Sequence, residues 1–210
     1  VHGAGRTDAG VHASGQVAHF DLAKDHETDT VRDALNYHLK PQPVAVMAVS
    51  AVDETFHARF SAIERTYEYL ILARRPPATF DHGRVWHVPV ALDASAMQAA
   101  ADRLVGKHDF TSFRAAGCQS KTALRNVMHA KIYREGGILI FDIKANAFLQ
   151  HMVRNIVGSL LEVGRGAQDP SWISHLLSSK DRTLAAPTAP PDGLYLVRVA
   201  YPESAQLPTE

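Results

Sequence analysis

Cysteine is nearly absent from this chain of 210 residues. Cys118 stands alone, so no intrachain disulfide can form and the fold must rest on an apolar core. Such thiol usage fits a reducing compartment, and the cytoplasm is the expected location. Long hydrophobic runs are missing too: none approaches the ~20 residues a membrane-spanning helix needs. Charge of one sign is not in excess. The 22 Lys+Arg balance 22 Asp+Glu, so bulk charge does not announce a nucleic-acid binder. Metal-ligand spacing is lacking as well. Twelve histidines are present, but there is no CxxC, HxxxH or HExxH. Asp8 and His12 stand four apart on a glycine-containing segment rather than a secure helix, and no metal is expected. Gly3-x-Gly5 with Gly10 matches neither Gly-rich nucleotide loop, which leaves little behind a nucleotide-binding enzyme.

What is present begins with a hydrophobic fraction of 46%, ample for a core, in a length that allows one large domain or two small ones. The charge is unevenly spread. Residues 1–62 hold 5 Lys+Arg and 8 Asp+Glu, whereas residues 63–210 hold 17 and 14. Arginine outnumbers lysine 15 to 7. Guanidinium forks match phosphate bidentately, although genomic base composition explains the bias equally well.

Hydrophobic periodicity divides the chain in two. From Ile63 to Ala73 the pattern is strand-like, with Arg65, Tyr67 and Tyr69 on one face. Asp93 reads as the N-cap of a helix carrying Met97, Ala100, Ala101, Leu104 and Val105, with Gly106 as its stop. Val127 to Arg134 and Ile138 to Lys144 read as strands joined by a hairpin at Gly136-Gly137. Met152, Val153, Ile156, Leu160 and Leu161 mark a second helix ending near Gly164, and Asp169-Pro170 opens a short third. Leu194 to Tyr201 is a last strand, after a Pro/Ala-rich loop over 185–193. The order β-α-β-β-α-α-β predicts a ferredoxin-like (RRM-like) domain over 63–201 with one added helix. Residues 1–62 read as strand (Gln16 to Leu22), helix (Thr30 to Leu39) and strand (Val44 to Val52), the latter part of the same pattern. The expected fold class is therefore α+β: two ferredoxin-like halves with a largely antiparallel sheet and a cleft between them. The first half is incomplete, with a strand, a helix and most of a second strand expected ahead of it. Residues 202–210 read as a frayed tail.

The run Gly5-Arg6-Thr7-Asp8-Ala9-Gly10-Val11-His12 carries the most chemical information. A carboxylate on a tight glycine-flanked turn can face a site with its backbone held rigidly. The competing reading is a polar turn in which Asp8 bonds nearby amides. Arg6 supplies a planar cation suited to phosphate or stacking, or a loop partner for Asp8 itself. A weakly solvated carboxylate needs a cation beside it, since an unpaired one is costly to bury. Arg154, set among Met152, Val153, Ile156 and Val157, is either that cation or a snorkelling arginine. Tyr67, on one strand face with Arg65, reads by itself as a core tyrosine. Arg59, Arg65, Arg114, Lys121 and Arg125 are candidates for a nucleic-acid path or ordinary solvated charges; Phe110 and Phe113 read as packing residues. His12 either shapes the loop or meets a ligand.

That octapeptide resembles the catalytic motif of the tRNA pseudouridine synthase A family. Further segments agree in order. They are Phe56-His57-Ala58-Arg59-Phe60, Arg65-Thr66-Tyr67-Glu68-Tyr69, Asp109-Phe110-Thr111-Ser112-Phe113, Lys144-Ala145-Asn146-Ala147-Phe148, His151-Met152-Val153-Arg154-Asn155-Ile156-Val157-Gly158 and Gly193-Leu194-Tyr195-Leu196. The resemblance implies isomerisation of uridine to pseudouridine in the anticodon stem-loop of tRNA, at positions 38 to 40, by a homodimer. It implies Asp8 as the catalytic carboxylate, acting as nucleophile at C1′ or C6 or as a base on the ribose 2′ proton. Arg154 would be its cationic partner, Tyr67 the stacking platform, and Arg6 the group that fills the place of the flipped nucleotide. The isomerisation needs no redox partner, energy source or metal, so no cofactor is expected. The rival reading is a catalytically weak RNA-binding fragment of such an enzyme.

Overall fold

The computed structural model describes residues 1–205, so residues 206–210 of the expected tail lie outside the described residues. Glu203–Ala205 forms a single 3-10 turn. The chain separates into two compact units. One is built from Val1–Gly5, Val17–Ala62 and the residues from Tyr201 onward; the other from Arg6–Gln16 and Ile63–Ala200. The loop carrying Asp8, expected with residues 1–62, thus groups with the larger unit.

Thirteen elements organise the described residues. In chain order the strands are β1 (His2–Gly3), β2 (His12–Ala13), β3 (Ala18–His19), β4 (Glu64–Ala73), β5 (Trp86–Val88), β6 (Gly106–Asp109), β7 (Leu124–Glu135), β8 (Ile138–Ala145) and β9 (Leu194–Ala200). The α-helices are α1 (Thr28–Leu39), α2 (Ala94–Ala101), α3 (Met152–Gly164) and α4 (Trp172–Ser179).

In the smaller unit, β1 and β3 pair antiparallel over two residues each. Helix α1 follows, buries Val31 and carries the exposed pairs Arg32–Asp29 and Arg32–Asp33. The strand expected over Val44 to Val52 does not form among the described residues. Period-two patterning makes a strand only where a neighbouring strand meets its N–H and C=O groups. Here the Val46 amide donates to Asn36 Oδ1 at 2.8 Å and the Asn36 amide donates to the Val46 carbonyl at 2.9 Å. A side chain on α1 has taken the place of a partner strand.

The larger unit holds a mixed, mostly antiparallel seven-stranded sheet. Its order is β2-β9-β4-β8-β7-β6, with β5 pairing the far end of β4. The pairs β2–β9 and β4–β5 are parallel and the others antiparallel. Tyr67, Tyr69 and Ile71 alternate inward along β4, as the period of two requires. The β7–β8 hairpin turns at Gly136, whose φ of +56° lies in the left-handed region that glycine enters without penalty. Strands β2, β5 and β6 were not evident in the sequence: runs of two to four residues are too short for a period to appear.

Helix α2 begins where expected. Asp93 accepts from the Ser95 and Ala96 amides at 2.9 Å, satisfying two otherwise orphaned donors. Helix α3 is the centre of this unit. Met152, Val153, Ile156, Val157, Leu160 and Val163 are all buried, so both its flanks meet protein. Two glycines set how closely its neighbours approach. A Cβ on Gly164 would collide with Met97 of α2, and one on Gly158 would overlap the Pro187 carbonyl oxygen. The Pro/Ala-rich segment 185–193 is therefore laid directly against α3. Alanine in place of an interior helical glycine ordinarily gains up to about 1 kcal/mol. Gly158→Ala is expected to do the reverse, lowering stability by about 1–3 kcal/mol because a backbone carbonyl must shift. Denaturant unfolding measures the difference; an unchanged midpoint would remove the close approach from the account.

Candidate active site

The Asp8 loop is shaped by its own turn and by its exit. The Val11 amide donates to the Asp8 carbonyl at 3.0 Å, and Gly10 sits at φ +83° with Pro191 beside it. Beyond the turn, His12 and Ala13 pair with Tyr195 and Leu196. The Ser14 and Gly15 amides both donate to the Leu196 carbonyl, at 3.0 and 3.1 Å. His12 Nε2 lies 2.9 Å from the Gly83 carbonyl oxygen, and its ring stacks on Tyr195 at 4.6 Å. His12 thus anchors the loop to β9.

The Asp8 side chain is not spent on its own turn. Its Oδ2 accepts from Arg154 Nη1 at 3.0 Å, and His151 Nε2 lies 3.0 Å from the same oxygen. The Asp8 side chain keeps 39% of its accessible surface, whereas Arg154 keeps only 14%. A guanidinium covered to that extent requires acceptors, and it has two. Beyond Asp8, Nε of Arg154 donates to the Ala189 carbonyl at 2.7 Å, while the Ala189 amide donates to the Arg154 carbonyl at 3.1 Å. Segment 185–193 is itself tied down. Buried Asn155 accepts from Thr188 Oγ1 at 2.6 Å and from Arg182 Nη2 at 3.1 Å, and donates to the Phe113 carbonyl at 2.8 Å. The Tyr69 hydroxyl donates to the Pro190 carbonyl at 2.7 Å, so Tyr69 supports this segment from the core.

Tyr67 lies on the same face of β4 as Tyr69 and is 9% exposed, with Phe148 packed edge-on at 5.0 Å. Burial pushes its phenol up to about 12; the Arg65 charge opposes the rise and the Asp8 charge adds to it. Asp8 is therefore close enough for its charge to reach the Tyr67 hydroxyl. The phenol stays neutral at ordinary pH and acts there as a hydrogen-bonding group rather than a base.

The fold thus brings Asp8 and Arg154 into contact across 146 positions, with Tyr67 where the Asp8 charge is felt at its phenol. Arg6 is exposed and has no side-chain partner among the described residues; the pairing with Asp8 that the sequence allowed is made by Arg154 instead. Of the cations considered for a nucleic-acid path, Arg114 and Arg125 are loop staples. Arg114 donates to the Cys118 and Ser120 carbonyls at 2.8 Å, and nearly buried Arg125 donates to the Thr122 and Leu124 carbonyls and Ser120 Oγ. Arg65 Nη1 donates to the Asn146 carbonyl at 3.1 Å, and Arg59 lies by the Phe60 ring. Lys121 is exposed; Phe110 and Phe113 are fully buried. Among the described residues no three His, Cys, Asp or Glu side chains converge as a metal site would require.

Sequence reasoning missed His151. No helical spacing announced it: His151 precedes α3 in a left-handed conformation, outside the reach of the i, i+3 rule.

Comparison with known proteins gives the family. The family model described as tRNA pseudouridine synthase matches residues 1–61 and 100–202. The chain belongs to that family. It is 53% identical over 204 residues to a tRNA pseudouridine synthase A of Paramagnetospirillum magneticum, covering 97% of this chain and 80% of that protein. It is 54% identical to one of Yersinia pseudotuberculosis, covering 98% of this chain and 77% of that one. A relative of the same name in Methylobacterium nodulans is 50% identical, with 98% and 81% covered.

The Tyr67 phenol yields a pH-dependent expectation. Its ordinary value is 10 and its folded value about 12, so the folded state holds the proton more tightly. The associated stability is fully present below pH 10 and is lost as pH rises through 12. Chemical unfolding of the chain and of Tyr67→Phe across that window should show the parent losing stability relative to the variant. Parallel curves would mean that the phenol is not buried in solution.

Proposed function

We propose that this chain isomerises uridine to pseudouridine in the anticodon stem-loop of tRNA, at positions 38 to 40, with Asp8 as the catalytic carboxylate. The observation that carries the proposal is the ion pair at Asp8. The one carboxylate of the glycine-flanked motif meets Arg154 at 3.0 Å, with Tyr67 within reach of its charge.

The chemistry is balanced without an external reagent. The C1′–N1 bond of uridine breaks, the detached uracil rotates, and C1′ rejoins it through C5; the C5 proton leaves and N1 gains one. Asp8 supplies an ionised carboxylate held in place before the substrate arrives. Arg154 orients that carboxylate through a 3.0 Å contact in a partly covered site, where the pairing is stronger than in water. Tyr67, 9% exposed in this structure, is the aromatic face the base meets. Arg6, exposed at the loop's entry, stacks where the extruded nucleotide has left, offsetting part of the few kcal/mol that unstacking costs. The same reading includes a cytoplasmic homodimer and two ferredoxin-like halves. The order β9-β4-β8-β7 supports the second half: it is the fourth-first-third-second arrangement of a split βαβ domain.

Two substitutions test the assignment on tRNA tritiated at C5 of uridine. Asp8→Asn is expected to abolish tritium release while leaving the thermal unfolding transition in place. Activity within tenfold of the parent, a barrier change of no more than ~1.4 kcal/mol, would remove Asp8 from its role. Tyr67→Ala is expected to weaken the substrate interaction by roughly 1–3 kcal/mol, with Tyr67→Phe binding as the parent does. Normal binding and turnover by Tyr67→Ala would make the residue a core aromatic only.

A further inference from the structure

We propose that His151 is a positioning residue of this site. Together with Arg154 it holds Oδ2 of Asp8, so that Oδ1 is the oxygen presented to the uridine. The inference rests on the pseudouridine synthase reading above.

Three observations lead to it. First, two nitrogens from different side chains meet one carboxylate oxygen. Arg154 Nη1 and His151 Nε2 each lie 3.0 Å from Oδ2, and Oδ1 lies outside this pair of contacts. A carboxylate held at one oxygen by a single donor can still swing about that contact. A second donor arriving from another direction fixes the plane of the group, and with it the direction of the other oxygen. Second, His151 adopts φ 60° and ψ 7°, a left-handed conformation that side chains with a Cβ rarely enter. Glycine is the ordinary occupant; asparagine, aspartate and histidine are the side chains that enter it most readily. A strained residue persists where its surroundings over-determine it, and such residues gather at functional sites. The strained turn directs the imidazole to Asp8 while the His151 carbonyl still accepts from the Asn155 amide at 2.9 Å, starting α3. Third, the position is rigidly based. His151 immediately precedes α3, whose first turn carries buried Met152 and Val153, so the donor cannot drift with a loop.

The physical consequence is orientational. Reactions at a fixed centre are sensitive to small misplacements of the reacting atom, so a carboxylate free to rotate loses rate without losing substrate affinity. A hydrogen-bond donor at the reach of Nε2 is what this role requires, rather than an imidazole as such. Glutamine places an amide nitrogen at a similar reach. Glycine keeps the left-handed backbone and removes the donor.

The test compares the parent chain with His151→Gly and His151→Gln on C5-tritiated tRNA, with kcat and KM separated. His151→Gly is expected to lower kcat by tenfold or more with KM within about twofold, and His151→Gln to recover most of the loss, because an orienting donor acts on the chemical step. Wild-type kcat in His151→Gly overturns the proposal. So does an equal loss in both variants, which would trace the effect to the imidazole ring or to the packing around α3. A readout independent of turnover accompanies this: long-range proton–nitrogen spectra of the His151 ring in the parent and in Asp8→Ala. The Nε2 signal is expected to shift when its acceptor is removed, and an unmoved signal also overturns the proposal. Should the ring respond while the parent shows no turnover, the pseudouridine synthase reading fails, taking the catalytic part of this proposal with it, and the contact alone survives.

Discussion

The pairing of Asp8 with Arg154 is the interaction to which the rest of the larger unit is arranged. Arg154 retains 14% of its side-chain surface, so its guanidinium needs acceptors within the protein, and the Asp8 carboxylate is one of them. That need constrains several elements. Arg154 must project from the first turn of α3, and Asp8 must be held by a loop anchored on β9 through His12 to Gly15. The Nε–H of Arg154 is met by the Ala189 carbonyl, so segment 185–193 must run against α3.

That last demand explains several features with no obvious chemistry of their own. Gly158 is small because the Pro187 carbonyl occupies the space a side chain would take. Asn155, buried, ties α3 to both Thr188 and Arg182 through its Oδ1. Tyr69 spends its hydroxyl on Pro190. A buried polar group with all its partners present rigidifies its surroundings, and here several such groups fix one segment. The proline content of the segment lowers the entropy of ordering it. The site is therefore preorganised by packing and main-chain hydrogen bonds around α3, rather than by the charges alone.

Geometry also divides labour between two tyrosines on one strand face. Tyr69 is closed off in the core and serves structure, whereas Tyr67 sits within the field of Asp8, with burial keeping its phenol protonated. Two residues of the same type, two positions apart on β4, thus differ in role only through what surrounds them.

The sequence alone determined the long elements. Strands β4, β7, β8 and β9 and helices α2 and α3 carry apolar periods of several turns or pleats, and a capping aspartate or hairpin glycines mark their ends, so local physics is enough to specify them. Asp8, Tyr67 and Arg154 were singled out through the resemblance of the motifs that hold them; their side chains alone left a polar turn, a core tyrosine and a snorkelling arginine open. What needed the tertiary structure was everything that depends on a partner far along the chain. Val44 to Val52 has the pattern of a strand, yet Val46 bonds to the Asn36 side chain. The two- to four-residue strands exist only because a longer neighbour offers its edge. Arg114 and Arg125 look like free cations in the sequence but close a loop onto backbone carbonyls. His151 meets Asp8 across 143 positions through a left-handed turn, and no local preference announces such a contact. Periodicity reports which face of an element is apolar; which atoms meet on that face is decided by how the chain returns to it.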